Sequence, residues 1–189
     1  MTCADTTEVT LRAPFDRRPG PAAPSPPTPP VLTAFTAAAR VPHCAAVLLV
    51  RRGRWAVGVF DGADLVVSKV DARQVQGRTA AGGWSQQRFA RRRANQTEAV
   101  VDAAVRTAVR VLLPHAAEVE ALFTGGDRGL VDDVLADARL APLAALRREP
   151  ALDVGEPTKA VLLGTPDQFR AALVRIREPD EGLSAPKVP

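Results

Sequence analysis

The chain has 189 residues, enough for one domain with a tail or at most two small domains, and 46% of them are apolar, so a real core can form. A formal net charge of +4 favours an anionic partner, nucleic acid being the commonest, although a soluble basic protein without one carries the same balance. Two cysteines, Cys3 and Cys44, exclude a disulfide framework and fit a reducing cytoplasm. The longest uncharged apolar run, Cys44 to Val50, is too short to span a bilayer, and Met1 to Pro30 lacks the apolar stretch of a secretory signal.

Aromatic residues make up 4% of the chain and tyrosine is absent, so Val, Leu and Ala must do most of the packing. The abundance of Ala, Arg, Val and Pro has the character of a GC-rich genome, which tempers any argument from arginine counts.

Residues 1–42 hold nine of the seventeen prolines. Within them the alternation Glu8-Val9-Thr10-Leu11-Arg12 predicts a short strand. Pro19 to Pro30 has little capacity for helix or ladder hydrogen bonds and reads as an extended, solvated linker. Val31 to Arg40 reads as a short helix. The fold proper is expected over residues 43–178, with a loose tail over 179–189. Ala45 to Arg51 is a buried-type strand, Arg52-Gly53-Arg54 a tight turn, Trp55 to Phe60 a second strand, Asp61-Gly62 the start of another turn, and Leu65 to Val70 a third strand that could reach Val75. Hairpin-length loops make these an antiparallel meander.

Gln76 to Gly83 is small and flexible. From Ser85 to about Leu113 there is neither Pro nor Gly, and the spacing predicts a long amphipathic helix stopped by Pro114. Ala90, Ala94, Val101, Val105, Ala108 and Leu112 share one face; Arg88, Arg92, Asn95, Asp102, Arg106 and Arg110 share the other. Beyond it, Val119 to Phe123 reads as a strand and Gly125-Gly126 as a break. Gly129 to Ala138 and Pro142 to Leu146 read as helices, and Ala151 to Val154 as a weak strand. Pro166 to Arg177 reads as a helix with Thr165 as its N-cap. Strands first, then helices mixed with strands, imply an α/β fold: helices packed on a mixed β-sheet.

One stretch stands apart. From Ala72 to Thr97 there is no Asp or Glu, but there are six arginines: Arg73, Arg78, Arg88, Arg91, Arg92 and Arg93. Clustered guanidiniums neutralise phosphates and release their counterions; a solvated helix face in an arginine-biased chain is the plainer explanation. Gly82-Gly83 sits just before the helix, where free N–H groups and a partial positive charge suit an anionic or oxyanion-forming substrate. Taken alone, such a pair is more often an ordinary flexible turn. His43, His115, Cys3 and Cys44 lack metal-ligand spacing, and no phosphate-binding glycine loop is present, so neither a metal nor a cofactor is expected. Ser85 lacks the second glycine of a nucleophile elbow and reads as a helix cap.

The segment Gly82-Gly83-Trp84-Ser85-Gln86-Gln87-Arg88-Phe89-Ala90-Arg91 resembles the catalytic loop and following helix of eukaryotic and archaeal class-1 translation release factors. There a Gly-Gly-Gln tip is followed by Ser, two residues and Arg-Phe-Ala-Arg. Trp84 stands where those factors carry glutamine, and a glutamine returns at Gln86. Gly83-Trp84-Ser85-Gln86 is similar to the Gly-x-x-Gln motif of the Vms-like release factors, whose compact, actinobacterial-type branch shares this signature. The resemblance is strongest over about residues 44–113. It implies a variant of the RNase H-like fold and hydrolysis of the peptidyl-tRNA ester during ribosome quality control.

On that resemblance Gln86 would hold the attacking water, and Gly82 and Gly83 would let the loop enter an RNA-lined cavity. Trp84 would stack on a base or simply pack. Arg73, Arg78, Arg88, Arg91, Arg92 and Arg93 would grip tRNA or ribosomal RNA phosphates. The implied partners are the large ribosomal subunit, its RNA and peptidyl-tRNA, with no membrane. Gln87 competes with Gln86 for the role and is disfavoured by the motif. Two rivals remain open. One is a non-catalytic RNA- or ribosome-binding adaptor. The other is a two-metal nuclease, for which Asp61, Asp64, Asp102, Asp132 and Asp133 form no recognisable cluster in sequence. Oligomeric state is not legible.

Overall fold

The computed structural model describes residues 8–15, 29–73 and 86–177. The chain divides into two compact units, Met1–Val41 with Arg170–Pro189, and Pro42–Phe169. The first unit contains strand β1 (Glu8–Arg12), helix α1 (Pro29–Arg40) and the last strand of the chain, at Leu173–Arg177. β1 pairs antiparallel with that strand, which sets Val9 opposite Ile176 and Leu11 opposite Val174. α1 ends just ahead of Pro42, where the residue before a proline is pushed out of the α region.

The second unit opens with the expected meander: β2 (Cys44–Arg51), β3 (Arg54–Asp61) and β4 (Asp64–Ala72). Its two hairpin turns each need a residue in the left-handed region, and glycine supplies it at Gly53 (φ 84°) and Gly62 (φ 60°). Helix α2 (Gln86–Leu112) then carries the chain back, so that β5 (Ala121–Gly126) adds to the far side of β2 in parallel. The strand order is β4-β3-β2-β5, a mixed sheet of four. A parallel neighbour requires a crossover of a dozen residues or more, and α2 is that crossover.

Both faces of the sheet are covered. On one, Leu48, Val50, Val57 and Val59 pack with Val100, Ala104, Ala108 and Leu112 of α2 and with Leu130, Val131 and Val134 of helix α3 (Arg128–Leu135). On the other, Phe169 stacks on Phe123 at 5.0 Å and meets Phe60 edge-on at 5.5 Å. Phe169 comes from α6 (Pro166–Phe169), which follows α4 (Ala141–Ala144) and α5 (Lys159–Leu163). Burial on two sides is why β2 and β3 read as continuous apolar runs rather than alternating ones. The long helix is registered on the sheet by a buried hydrogen bond, Trp55 Nε1 donating to Thr107 Oγ1 at 3.0 Å.

Three expectations need correction. Gly125-Gly126 is no break: both residues belong to β5, and Gly126 bends the strand's end at φ 100°. Ala151 to Val154 forms no strand but a single bridge, Leu152 to Gly125. The helix expected over Pro166 to Arg177 lasts only the four residues of α6, and Leu173–Arg177 is strand β6, the partner of β1. Thr165 does stand directly before α6, its carbonyl accepting from Gln168 N at 3.0 Å and Phe169 N at 3.1 Å, while its hydroxyl donates back to the Leu162 carbonyl at 2.7 Å. Helix α5, capped by the Thr158 hydroxyl accepting from Val161 N, was not anticipated.

Candidate functional site

The acid-free, arginine-rich stretch begins where β4 ends. Arg73 leaves the strand with its backbone N–H donating to the Gly53 carbonyl at 2.7 Å, which ties it to the β2–β3 turn. Its guanidinium Nη1 donates to the Ala99 carbonyl of α2 at 3.1 Å, although the side chain is exposed. Arg73 is therefore a strut between sheet and helix, with donors to spare, rather than a wholly solvent-directed cation.

Residues 74–85 follow, and with them Arg78, Gly82, Gly83, Trp84 and Ser85 lie outside the described residues. The chain re-enters at Gln86, the first residue of α2. For Gln86, Gln87, Arg88, Arg91, Arg92 and Arg93 the helical backbone is described, and it gathers all six into the first two turns or so. Ala99, the residue held by Arg73, lies about 20 Å further along the helix axis than Gln86 at 1.5 Å per residue. The first turn of α2 contains no acidic residue. Its free N–H groups and partial positive charge thus have no carboxylate of their own turn to answer them.

The side chains of Arg88, Ala90, Arg92, Ala94 and Asn95 lie outside the described residues; further along α2 the predicted faces are as observed. Val105, Ala108 and Leu112 are buried and Val101 is half-buried, while Asp102, Arg106 and Arg110 are exposed. The apolar stripe is wider than periodicity gave, since Val100, Ala104, Thr107 and Val111 are buried too.

The carboxylates considered for a nuclease are dispersed. Asp61 faces Asp64 across the β3–β4 turn, Asp102 lies on the exposed face of α2, and Asp132 is paired with Arg147. Among the described residues no group of three or more His, Cys, Asp or Glu side chains could hold a metal ion. His43 pairs with Glu120 at 2.9 Å and His115 with Glu118 at 3.6 Å. Burial, followed by the nearby carboxylates of Glu118, Asp61 and Glu120, pushes the Cys44 thiol above its ordinary pKa, which suits an inert packing residue. Among the described residues no helix is long and apolar enough to cross a membrane.

A feature the sequence presented only as a turn also belongs to this end of the sheet. Arg52 and Arg54 flank Gly53 and are exposed beside the strand end from which residues 74–85 depart.

Comparison with known proteins decides the lineage. Residues 43–175 match the family described as "Actinobacteria/chloroflexi VLRF1 release factor". The chain belongs to that family. The VLRF1 match runs from β2 through α6 and into β6, so it includes the whole four-stranded sheet, the arginine-rich helix and the segment that joins them.

Among solved structures, the crystal structure of the archaeal translation termination factor aRF1 is similar over 63% of this chain and 32% of that one, with a TM-score of 0.50 and 16% identity. A second structure, titled "Archaeal protein", is similar over 67% of this chain and 36% of that one, with a TM-score of 0.40 and 15% identity. This chain thus spans about a third of the length of each. At 16% identity the aRF1 likeness speaks to the fold alone, a mixed sheet with packed helices. No curated protein matches the chain.

Proposed function

We propose that the chain hydrolyses the ester joining a nascent peptide to tRNA on stalled ribosomes or their large subunits, with Gln86 positioning the attacking water. The observation that carries this reading is membership of a release-factor family across residues 43–175, with Gly83-Trp84-Ser85-Gln86 at the junction into α2.

The chemistry asks little of the protein. An ester is already activated, so placing a water near the carbonyl and stabilising the oxyanion suffice. A glutamine amide both donates and accepts, so it can hold a water without titrating. It is too weak a base to take the proton outright, and the tRNA hydroxyl or ribosomal RNA would share that transfer. Gly82 and Gly83 would let the tip approach RNA closely, and Trp84 would stack on a base. Arg78, Arg88, Arg91, Arg92 and Arg93 would grip phosphates, while Arg73 contributes its remaining donors and braces α2. The reading involves neither metal nor cofactor, and its setting is cytoplasmic.

The test is release of labelled peptide from large subunits carrying peptidyl-tRNA, with wild type, Gln86→Ala and Gly83→Ala compared. Release by wild type that falls at least tenfold in both variants is the expected result. Unchanged release with Gln86→Ala contradicts the assignment. Binding without release by wild type would support the adaptor reading, which the arginine-rich start of α2 also fits.

A further inference from the structure

We propose that Arg52 and Arg54 at the β2–β3 hairpin tip, continued by Arg128 at the start of α3, form a second RNA-backbone contact. It would lie along the sheet edge from which the candidate catalytic segment departs. The proposal rests on the reading that the chain works on ribosome-bound RNA, and it names a surface outside the motif.

The turn packs three guanidiniums into four residues, Arg51-Arg52-Gly53-Arg54, with no acid among them. Like charges crowded on a tight turn repel, and here the chain offers little to offset them. Arg51 is engaged, its Nη2 donating to the Val154 carbonyl at 2.8 Å. Arg52 and Arg54 are exposed, and neither forms an ion pair or side-chain hydrogen bond with the described residues. Two carboxylates at this end accept from backbone amides, Asp71 Oδ1 from Ala72 N at 2.9 Å and Asp127 Oδ1 from Leu130 N at 3.3 Å, and neither forms an ion pair with Arg52 or Arg54.

The topology extends the tip into a row. β2, β4 and β5 all end at this edge, where β3 begins. Asp127 N donates to the Val50 carbonyl at 2.8 Å, so the neighbouring Arg128 stands at the same edge. Arg128 is 81% exposed, and its ion pair among the described residues, with Asp132, is stretched to 4.0 Å. From β4 to β5 the edge crosses three strand spacings, roughly 14 Å, room for more than one phosphate. Arginine forks suit bidentate phosphate binding, which a lysine ammonium cannot reproduce. The Arg73 N–H donating to the Gly53 carbonyl ties the tip to the point from which residues 74–85 depart.

The experiment uses the full chain and two probes, bare large ribosomal subunits and large subunits carrying peptidyl-tRNA, with binding followed by co-sedimentation across a KCl series. Arg52→Gln/Arg54→Gln is compared with Arg106→Gln/Arg110→Gln, which removes the same charge from the exposed face of α2, and with Arg52→Lys/Arg54→Lys. Thermal melts establish that each variant is folded. The hairpin variant should lose about tenfold in affinity, and its salt dependence should become shallower by about one unit of log–log slope per arginine. The lysine pair should recover part of the loss and the α2 pair should stay within about twofold. A loss on both probes assigns ribosomal RNA, and a loss only with peptidyl-tRNA present assigns the tRNA. Equal losses in the hairpin and α2 variants, or no loss in the hairpin variant, overturn the proposal. Peptide release by wild type on the same particles is scored separately, so wild type that binds but fails to release sinks the hydrolase reading and leaves the hairpin contact standing.

Discussion

Thr107 is buried inside α2, where a hydroxyl would ordinarily be a liability; here it accepts from the Trp55 indole and donates to the Ala103 carbonyl at 2.9 Å. Thr107→Val keeps the shape but strands the indole N–H, so stability measured in urea should fall by about 1–3 kcal/mol. A change within about 0.3 kcal/mol would mean the pair contributes nothing. Gly126 is more constrained still: at φ 100° a Cβ would lie 2.2 Å from the Val50 carbonyl oxygen. Gly126→Ala should therefore cost at least about 3 kcal/mol or prevent folding, read from the same urea curves or from soluble yield. For Cys44 the raised pKa has a defined sign. The native state holds its proton to higher pH than the unfolded chain, so this contribution to stability is intact below the ordinary thiol pKa of about 8.5 and is lost as pH rises beyond it. In a Cys3→Ala background, iodoacetamide should label Cys44 more slowly at pH 8 than it labels the urea-unfolded chain, and equal rates would contradict the burial. At this scale the sequence was legible where a residue's role is local. Gly53 and Gly62 announce their turns, whereas the demand on Gly126 exists only because β5 lies against β2, a partner some seventy-five residues away in the chain.

Elements were legible when their pattern was long and their environment simple. β2 and β3 declare burial on two faces, and α2 declares its length by the absence of Pro and Gly. The region after residue 160 was misread because a helix start does not say how far the helix runs, and tertiary pairing claims the residues beyond it. Thr165-Pro166 does start a helix, but that helix stops at Phe169, and Leu173–Arg177 pairs with a strand at the other end of the chain. No window of neighbouring residues contains that information. What α6 provides is Phe169, 4% exposed and wedged against Phe60 and Phe123 on the sheet face opposite α2. Phe169→Ala should destabilise the protein by about 3–5 kcal/mol in a denaturant titration. A loss under about 1 kcal/mol would show that the second face carries no core. The candidate site divides in the same way. The motif from Gly82 to Arg91 is read from residue identity and spacing, while the bracing of α2 by Arg73 and the company of Arg52 and Arg54 depend on which strand ends meet.

At the scale of the molecule, the four-stranded sheet and its helices fall within Pro42–Phe169, a unit with a core on each side of the sheet. Residues 42–169 produced alone should unfold in one cooperative transition, followed together by circular dichroism and Trp55 fluorescence in a Trp84→Phe background. A gradual, non-coincident loss of the two signals would mean that the remaining segments are required for the fold. That unit presents the start of a long helix, free of acid in its first turn, directly after the segment carrying the release-factor motif. The account turns on a neutral amide acting in the chemical step rather than in attachment to RNA. Single-turnover peptide release from large subunits carrying peptidyl-tRNA, at saturating protein, isolates that step. Gln86→Ala should be slowed by about 100-fold or more, the order expected for losing one group that orients water or stabilises an oxyanion, while Gln87→Ala stays within about fivefold of wild type. A Gln86→Ala protein that releases peptide at the wild-type rate once saturated would contradict the account.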